Sequence, residues 1–149
     1  KHECRLIILG QGALKEELMH RAREQGIVDA FDLPGFIENP YAWMARADCF
    51  VLSSLWEGLP TVLIEALSLG IPIISTDCPS GPREILQDGI YGKLVPMGDS
   101  EALAKAIERT LDGDIEQFDP AEAVEKFTAR YASRRYLEVF GLLEKEASK

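Results

Sequence analysis

The sequence predicts an α/β fold: a doubly wound parallel sheet with helices on both faces, followed by a helical C-terminal tail. Three observations predict it. Apolar runs of four to six residues alternate with amphipathic stretches along most of the chain, and that alternation implies parallel strands covered on both sides. Glycine, proline and Asx residues stand at the joints between them, where helices start and strands stop. The 149 residues, 46% of them hydrophobic, allow one core of ordinary size and exclude a disordered polymer.

The elements follow in order. Arg5-Leu6-Ile7-Ile8-Leu9 reads as a buried strand ended by Gly10-Gln11-Gly12. Leu14, Leu18, Ala22 and Ile27 recur at near-helical spacing, so residues 13–25 form a helix closed by Gly26. Phe31 to Gly35 is a short strand and turn. Asn39 caps a short helix that has Pro40 at its first position and runs through Met44. Cys49 to Leu52 is a second buried strand. A helix starts with Pro60 at its first position and ends at Gly70. Ile71 to Ser75 is a strand with its proline near the start, where proline is tolerated. Gly92 to Val95 is the last strand. Asp99 caps a helix through Leu111, and Asp119-Pro120-Ala121-Glu122 is a second capping signal. It opens a helical tail, broken near Tyr131.

Ligands of such sheets bind beyond the carboxyl ends of the strands. The loops there are Gly10–Gly12, Gly35–Asn39, Ser53–Pro60, Thr76–Arg83 and Pro96–Asp99. In the third, Glu57 precedes the Pro60 helix and Glu65 follows eight positions later. The unpaired amides and dipole of that helix end suit an anion such as a diphosphate. Glu65 lies about 7.5 Å further along the axis, with its Cβ leaning back toward the N-terminus. Carboxylates repel phosphates but accept hydrogen bonds from hydroxyls. A ligand with a diphosphate in the middle and hydroxyl-bearing rings at both ends fits, and that is a nucleotide sugar. Val62, Leu63, Ile64, Ala66, Leu67 and Leu69 leave the helix little polar face, so it is mostly buried and a carboxylate within it needs a partner.

Composition narrows the alternatives. A net charge of −9 argues against a nucleic-acid-binding module. It also leaves diphosphate binding to local dipoles and a few placed cations. No apolar run reaches the length of a membrane span, and the start of the chain is not a signal peptide. Cys4, Cys49 and Cys78 show no metal-ligand spacing and read as buried thiols of a reducing compartment. His2 and His20 are given no role. Gly10-Gln11-Gly12 begins like a dinucleotide fingerprint but has Lys15 where the third glycine belongs, so alone it is a tight strand-to-helix turn. Trp56 reads equally as a sugar platform or as core. Lys93 is placed at the surface, and Arg83 is left open between surface and phosphates.

The run Ser54-Leu55-Trp56-Glu57-Gly58-Leu59-Pro60-Thr61-Val62-Leu63-Ile64-Glu65-Ala66-Leu67 is followed by Leu69-Gly70-Ile71-Pro72, Gly81 with Glu84-Ile85, Asp88-Gly89 and Gly92-Lys93-Leu94-Val95-Pro96. In that order these segments resemble the donor-binding half of retaining group 1 glycosyltransferases of the GT-B fold, over about Cys4 to Gly113. The resemblance implies a Rossmann-like nucleotide-sugar-binding domain at 1–114. It implies a helical tail at 115–149 that packs on the same domain or on an acceptor-binding N-terminal domain.

The roles implied by the resemblance are specific. Glu57 binds the donor sugar and counts as catalytic. The backbone of Gly58, Leu59, Pro60, Thr61 and Val62 contacts sugar and diphosphate, and Glu65 holds the ribose. Gly10 and Gly12 line the donor pocket, and Phe36 and Ile37 border the base. No metal or other cofactor is implied, because the helix dipole and basic residues stabilise the leaving diphosphate. The implied enzyme transfers a hexose or N-acetylhexosamine from a UDP-sugar to a glycan or lipid-linked acceptor. It is cytoplasmic, at the inner face of the membrane through peripheral association, and of the bacterial surface-polysaccharide type. The family's preceding strand, its diphosphate-gripping arginine and lysine and its acceptor domain have no counterpart here. The 149 residues alone are therefore expected to transfer no sugar and to bind nucleotide diphosphates weakly. A nucleotide-sugar epimerase and a non-catalytic nucleotide-binding module are the other readings; a receiver-like module would want acidic residues after its first strand, and Leu9-Gly10-Gln11 has none.

Overall fold

A computed structural model describes residues 2–142. The chain forms two units of internal contacts, divided between Arg46 and Ala47.

In the first unit, β1 (Leu6–Leu9), α1 (Lys15–Glu24), a 3-10 turn at Val28–Ala30, β2 (Phe31–Gly35) and α2 (Tyr41–Met44) follow one another. β1 and β2 are parallel, with Leu6 opposite Phe31 and Ile7 opposite Asp32. Helix α1 closes as a Schellman motif: Gly26 N donates to the Arg23 carbonyl and Ile27 N to the Ala22 carbonyl, and Gly26 takes a φ of 67°. Pro40, not Asn39, is the residue at the N-cap of α2, its carbonyl accepting from Met44 N at 2.9 Å; Asn39 stands one position earlier, with Oδ1 accepting from Ala42 N at 3.4 Å. The strand expected to be buried is not: Leu6, Ile7 and Ile8 are exposed, because pairing with β2 satisfies the backbone in the plane of the sheet, whereas side chains off its faces are buried only by elements packed on those faces.

The second unit runs β3 (Phe50–Leu52), α3 (Thr61–Ser68), β4 (Ile73–Thr76), α4 (Pro82–Ile85), a 3-10 turn at Gln87–Gly89, β5 (Lys93–Val95) and α5 (Ser100–Leu111). After these come α6 (Pro120–Val124), a 3-10 turn at Glu125–Phe127 and α7 (Ala129–Val139). The sheet order is β3-β4-β5, all parallel, with Phe50 opposite Ile73 and Ile74 opposite Lys93. β4 is central and buried at every position, as a strand covered on both faces should be.

The core of this unit holds Leu63 and Leu67 of α3, Ile73 and Ile74 of β4, and Ile85 and Leu86. Each such side chain contributes about 1.5–3 kcal/mol by leaving water. Ala106 of α5 packs on Ile74 and Val95. Asp99 caps α5 as its position requires, with Oδ1 accepting from Ala102 N at 2.8 Å. Asp119 caps α6 through Ala121 N at 2.9 Å. The tail breaks at Thr128 rather than near Tyr131. Thr128 is extended, and its hydroxyl accepts from Tyr131 N and so starts a new helix there.

Two further local expectations change. Pro60 is the residue before α3, not its first turn: its φ of −71° is helical but its ψ of 85° is not. Helix α3 is also less buried than its composition implies. Leu63, Ala66 and Leu67 are buried, Val62, Ile64, Glu65 and Leu69 are half-buried, and Thr61 and Ser68 are exposed.

Candidate functional site

The loop from Ser53 to Pro60 leaves the carboxyl end of β3 and leads into α3. One contact within the loop and three from neighbouring residues shape it. Thr76, the last residue of β4, is buried and donates from Oγ1 to the Ser54 carbonyl at 2.5 Å. Ser54 Oγ donates to Glu57 Oε1 at 2.7 Å. Ser80 Oγ donates to the Glu57 backbone carbonyl at 2.9 Å. Gly81, buried at a φ of 88°, lies so close that a Cβ there would meet Pro60 Cδ at 2.5 Å and the Gly58 carbonyl at 2.9 Å. Glu57 is thus fixed through both its side chain and its main chain.

Beyond Pro60 the helix end is open. Leu63 N donates to the Pro60 carbonyl at 2.9 Å, and no side chain caps the helix. The amides of Thr61 and Val62 stand ahead of that first bond, at the positive end of the helix dipole. Gly58 has open space where a Cβ would point, so a ligand can approach the backbone there. Glu65 sits on the second turn of α3, half-buried; its carbonyl accepts from Ser68 Oγ at 2.7 Å, while its carboxylate has no hydrogen-bond or ion-pair partner among the described residues. Leu59 is exposed, and so is Trp56, at 77%; the core reading of Trp56 is therefore wrong.

The Gly10, Gly12, Phe36 and Ile37 positions belong to the first unit. Gly10 has a φ of 120° and donates from N to the Gly35 carbonyl at 2.8 Å, which ties together the loops after β1 and β2. Gly12 O accepts from Lys15 N as α1 begins. Phe36 is exposed and Ile37 half-buried.

The two cations left for the structure to place are both engaged. Arg83 pairs with Asp77 and Asp88. Hydrogen bonds to Asp77 first and Asp88 second raise the guanidinium above its ordinary pKa. Lys93 is not a surface residue: its side chain is 12% exposed, and Nζ donates to the Asp114 carbonyl at 2.5 Å and to Glu116 Oε1 at 2.8 Å. Cys78 is buried, Cys49 half-buried and Cys4 exposed, so burial does not extend to all three thiols. Among the described residues no cluster of three or more His, Cys, Asp or Glu side chains could hold a metal, and no helix is long and apolar enough to cross a membrane.

A cavity of about 560 Å³ lies elsewhere, between β5, α5 and the 114–116 segment. None of the residues read from the sequence as a site lines it, and its charges are already paired: Lys93 with Glu116, Arg109 with Asp114, Lys105 with Glu101 and Asp88 with Arg83. It offers a ligand no convergent unpaired group, so the loop before α3 is the better candidate.

Sequence reasoning named Glu57 and the α3 start but gave no role to Ser54, Thr76, Ser80 or Gly81. The signal for Ser54 was its place three residues before Glu57, within reach of its carboxylate. The others lie about twenty residues on and could be found only from the fold.

The chain's relatives bear on its family and fold. The profile of the family described as Glycosyl transferases group 1 matches residues 1–113, and the chain belongs to that family. It is 35% identical over 114 residues to an N-acetylgalactosamine-N,N'-diacetylbacillosaminyl-diphospho-undecaprenol 4-alpha-N-acetylgalactosaminyltransferase of Campylobacter jejuni, which covers 76% of this chain and 31% of that one. It is 32% identical over 141 residues to a lipopolysaccharide 1,6-galactosyltransferase of Escherichia coli, covering 90% of this chain and 39% of that one. The chain thus spans 31% and 39% of the length of these relatives. Among solved structures, Anabaena HepE in complex with UDP superposes with a TM-score of 0.83 at 21% identity, over 96% of this chain and 42% of that one. The Rossmann-like GT-B fold expected from the sequence is the fold found.

Proposed function

We propose that this chain is the donor-binding part of a retaining glycosyltransferase that moves a hexose or N-acetylhexosamine from a UDP-sugar to a glycan or lipid-linked acceptor. The observation that carries the reading is the immobilised Glu57, set immediately before an uncapped helix end and followed on that helix by the unpartnered, half-buried Glu65. Glu57 would take hydroxyls of the sugar. The backbone from Gly58 to Val62 would take the sugar edge and the diphosphate, and Glu65 the ribose. The Gly10–Gly12 loop would line the donor pocket, and Phe36 and Ile37 would border the base.

In this reading the bond from the sugar C1 to the diphosphate breaks through an oxocarbenium-like state. The acceptor oxygen bonds to the same face, and its proton passes to the departing diphosphate. The helix dipole stabilises the negative charge developing there, with no step assigned to a metal. The acceptor class is proposed by analogy with two relatives, one acting on an undecaprenol-linked glycan and one on lipopolysaccharide. UDP is favoured because a protein of the same fold carries it. A cytoplasmic enzyme working at the inner membrane face is consistent with such acceptors.

The test is transfer by the natural-length protein from UDP-glucose, UDP-galactose and their N-acetylamino forms to membrane glycolipid or lipopolysaccharide. The assay is run with and without a chelator, and the product anomer is read by NMR. We expect transfer from one of these donors with the configuration kept and no effect of the chelator. Interconversion of donor sugars without acceptor would instead identify an epimerase.

A further inference from the structure

We infer that Ser54 is the positioning residue for the Glu57 carboxylate, and that the carboxyl end of β4 with the loop after it is built to hold the pair. The inference rests on the donor-site reading above and adds to it which residues give Glu57 its geometry. Glu57 lies in a loop, and a glutamate there would ordinarily be solvated and free to rotate about three side-chain bonds. Here one carboxylate oxygen is taken by the Ser54 hydroxyl at 2.7 Å. Ser54 is itself held, its carbonyl accepting from the buried Thr76 hydroxyl at 2.5 Å. The Glu57 main chain is held separately by Ser80 Oγ at 2.9 Å.

Ser80 reaches that carbonyl from a left-handed backbone, with a φ of 59°, which a non-glycine residue adopts only under local strain. Gly81 follows at a φ of 88° and permits the contact with Gly58 and Pro60. The bonds form a chain from the centre of the sheet to the carboxylate: β4 holds Thr76, Thr76 holds Ser54, and Ser54 holds Glu57.

The consequence is chemical. An ionised carboxylate has about four acceptor directions. Ser54 occupies one on Oε1, so Oε2 and the remaining direction of Oε1 are presented in a fixed orientation. That is the arrangement needed to receive two neighbouring hydroxyls of a sugar ring without reorganisation, and fixed orientation is what brings C1 into line for reaction. A hydroxyl bonding three residues along a loop is also a common local turn device, and the experiment must separate the two roles.

The experiment is a double-mutant cycle in the natural-length protein, with kcat and KM measured on the four UDP-sugars above and UDP affinity measured by calorimetry. Ser54→Ala is expected to lower kcat roughly ten- to hundredfold while leaving UDP affinity within twofold. Ser54→Thr, which keeps the hydroxyl, is expected to restore most of it. In a Glu57→Ala background, Ser54→Ala is expected to cost nothing further, since the hydroxyl acts through the carboxylate. Equal losses from Ser54→Ala with and without Glu57 overturn the inference and assign Ser54 to the loop alone, as does full activity of Ser54→Ala while Glu57→Ala is impaired. If Glu57→Ala is itself fully active, the donor-site reading fails and the inference with it.

Discussion

Gly81 lies against Pro60 so closely that a Cβ built on it would stand 2.5 Å from the proline Cδ. The two loops that follow β3 and β4 meet at this point, and the meeting sets the path of the chain into α3. A ring atom and the Gly58 carbonyl cannot swing aside as the end of a flexible side chain could. Gly81 also has a φ of 88°. Gly81→Ala is therefore expected to destabilise the fold by about 2–5 kcal/mol, the sum of a left-handed backbone penalty and overpacking. Urea denaturation measures it. Gly58→Ala, with open space at its Cβ, should leave the midpoint within about 0.5 kcal/mol but weaken UDP-sugar binding, because its methyl would occupy the ligand's approach. Equal stability losses at both glycines would contradict this division of roles.

Glu57 and Glu65 should separate by kinetics and binding. Glu57→Gln is expected to lower turnover more than UDP affinity, because its contacts are with the sugar and act on the reacting geometry. Glu65→Ala is expected to weaken UDP itself by about ten- to hundredfold, the loss of a hydrogen bond to a charged group. Calorimetry with UDP decides the second point, and an unchanged affinity removes the ribose role from Glu65.

Lys93 is a long-range tie. Its amine joins β5 to the Asp114 carbonyl and Glu116 carboxylate with little exposure to water. Lys93→Met leaves both acceptors without their donor and is expected to destabilise the fold by about 1–3 kcal/mol. A charge-reversal or neutralisation at the exposed Arg5–Asp32 pair should be far milder. Thermal melts of the two variants compare them directly, and a Lys93→Met protein as stable as the parent would mean that the tie contributes nothing.

These residues also show what the sequence could and could not disclose. Asp99, Asp119 and Gly26 were legible because capping is a local matter: a short side chain reaches an amide two or three residues away, and a glycine ends a helix by its own backbone freedom. Pro60 was misplaced by one position, since proline fixes φ but not ψ. The exposure of Leu6, Ile7 and Ile8 was hidden because an apolar run reports its own chemistry and not what covers it. The Lys93 tie and the Ser80–Gly81 support depend on partners some twenty residues away, and only the folded unit brings them together. In the candidate site the groups facing a ligand, Glu57 and Glu65, were readable from their spacing around the helix start. The groups that hold Glu57 in place were not.

Arg83 sets the last expectation, the affinity of the 149-residue chain for UDP. A diphosphate at the start of α3 would meet the Thr61 and Val62 amides and the helix dipole. The dipole contributes about 0.3–1 kcal/mol at an exposed site and about 2 when partly buried, against the roughly 8 kcal/mol of micromolar affinity. Salt weakens it further. Arg83 is in α4, just after the loop that meets this region, but its guanidinium is held by Asp77 and Asp88, and moving it to a phosphate would leave both carboxylates unpaired beside a second anion. The chain is therefore expected to bind UDP with a dissociation constant above about 100 µM, and Arg83→Ala is expected to change that constant by less than twofold. Titration calorimetry at 50 and 150 mM salt checks both statements. Micromolar binding lost on Arg83→Ala would show that the arginine leaves its carboxylates for the ligand. Micromolar binding that survives the substitution would place the affinity in the ribose and base contacts, with Glu65 as the first residue to vary.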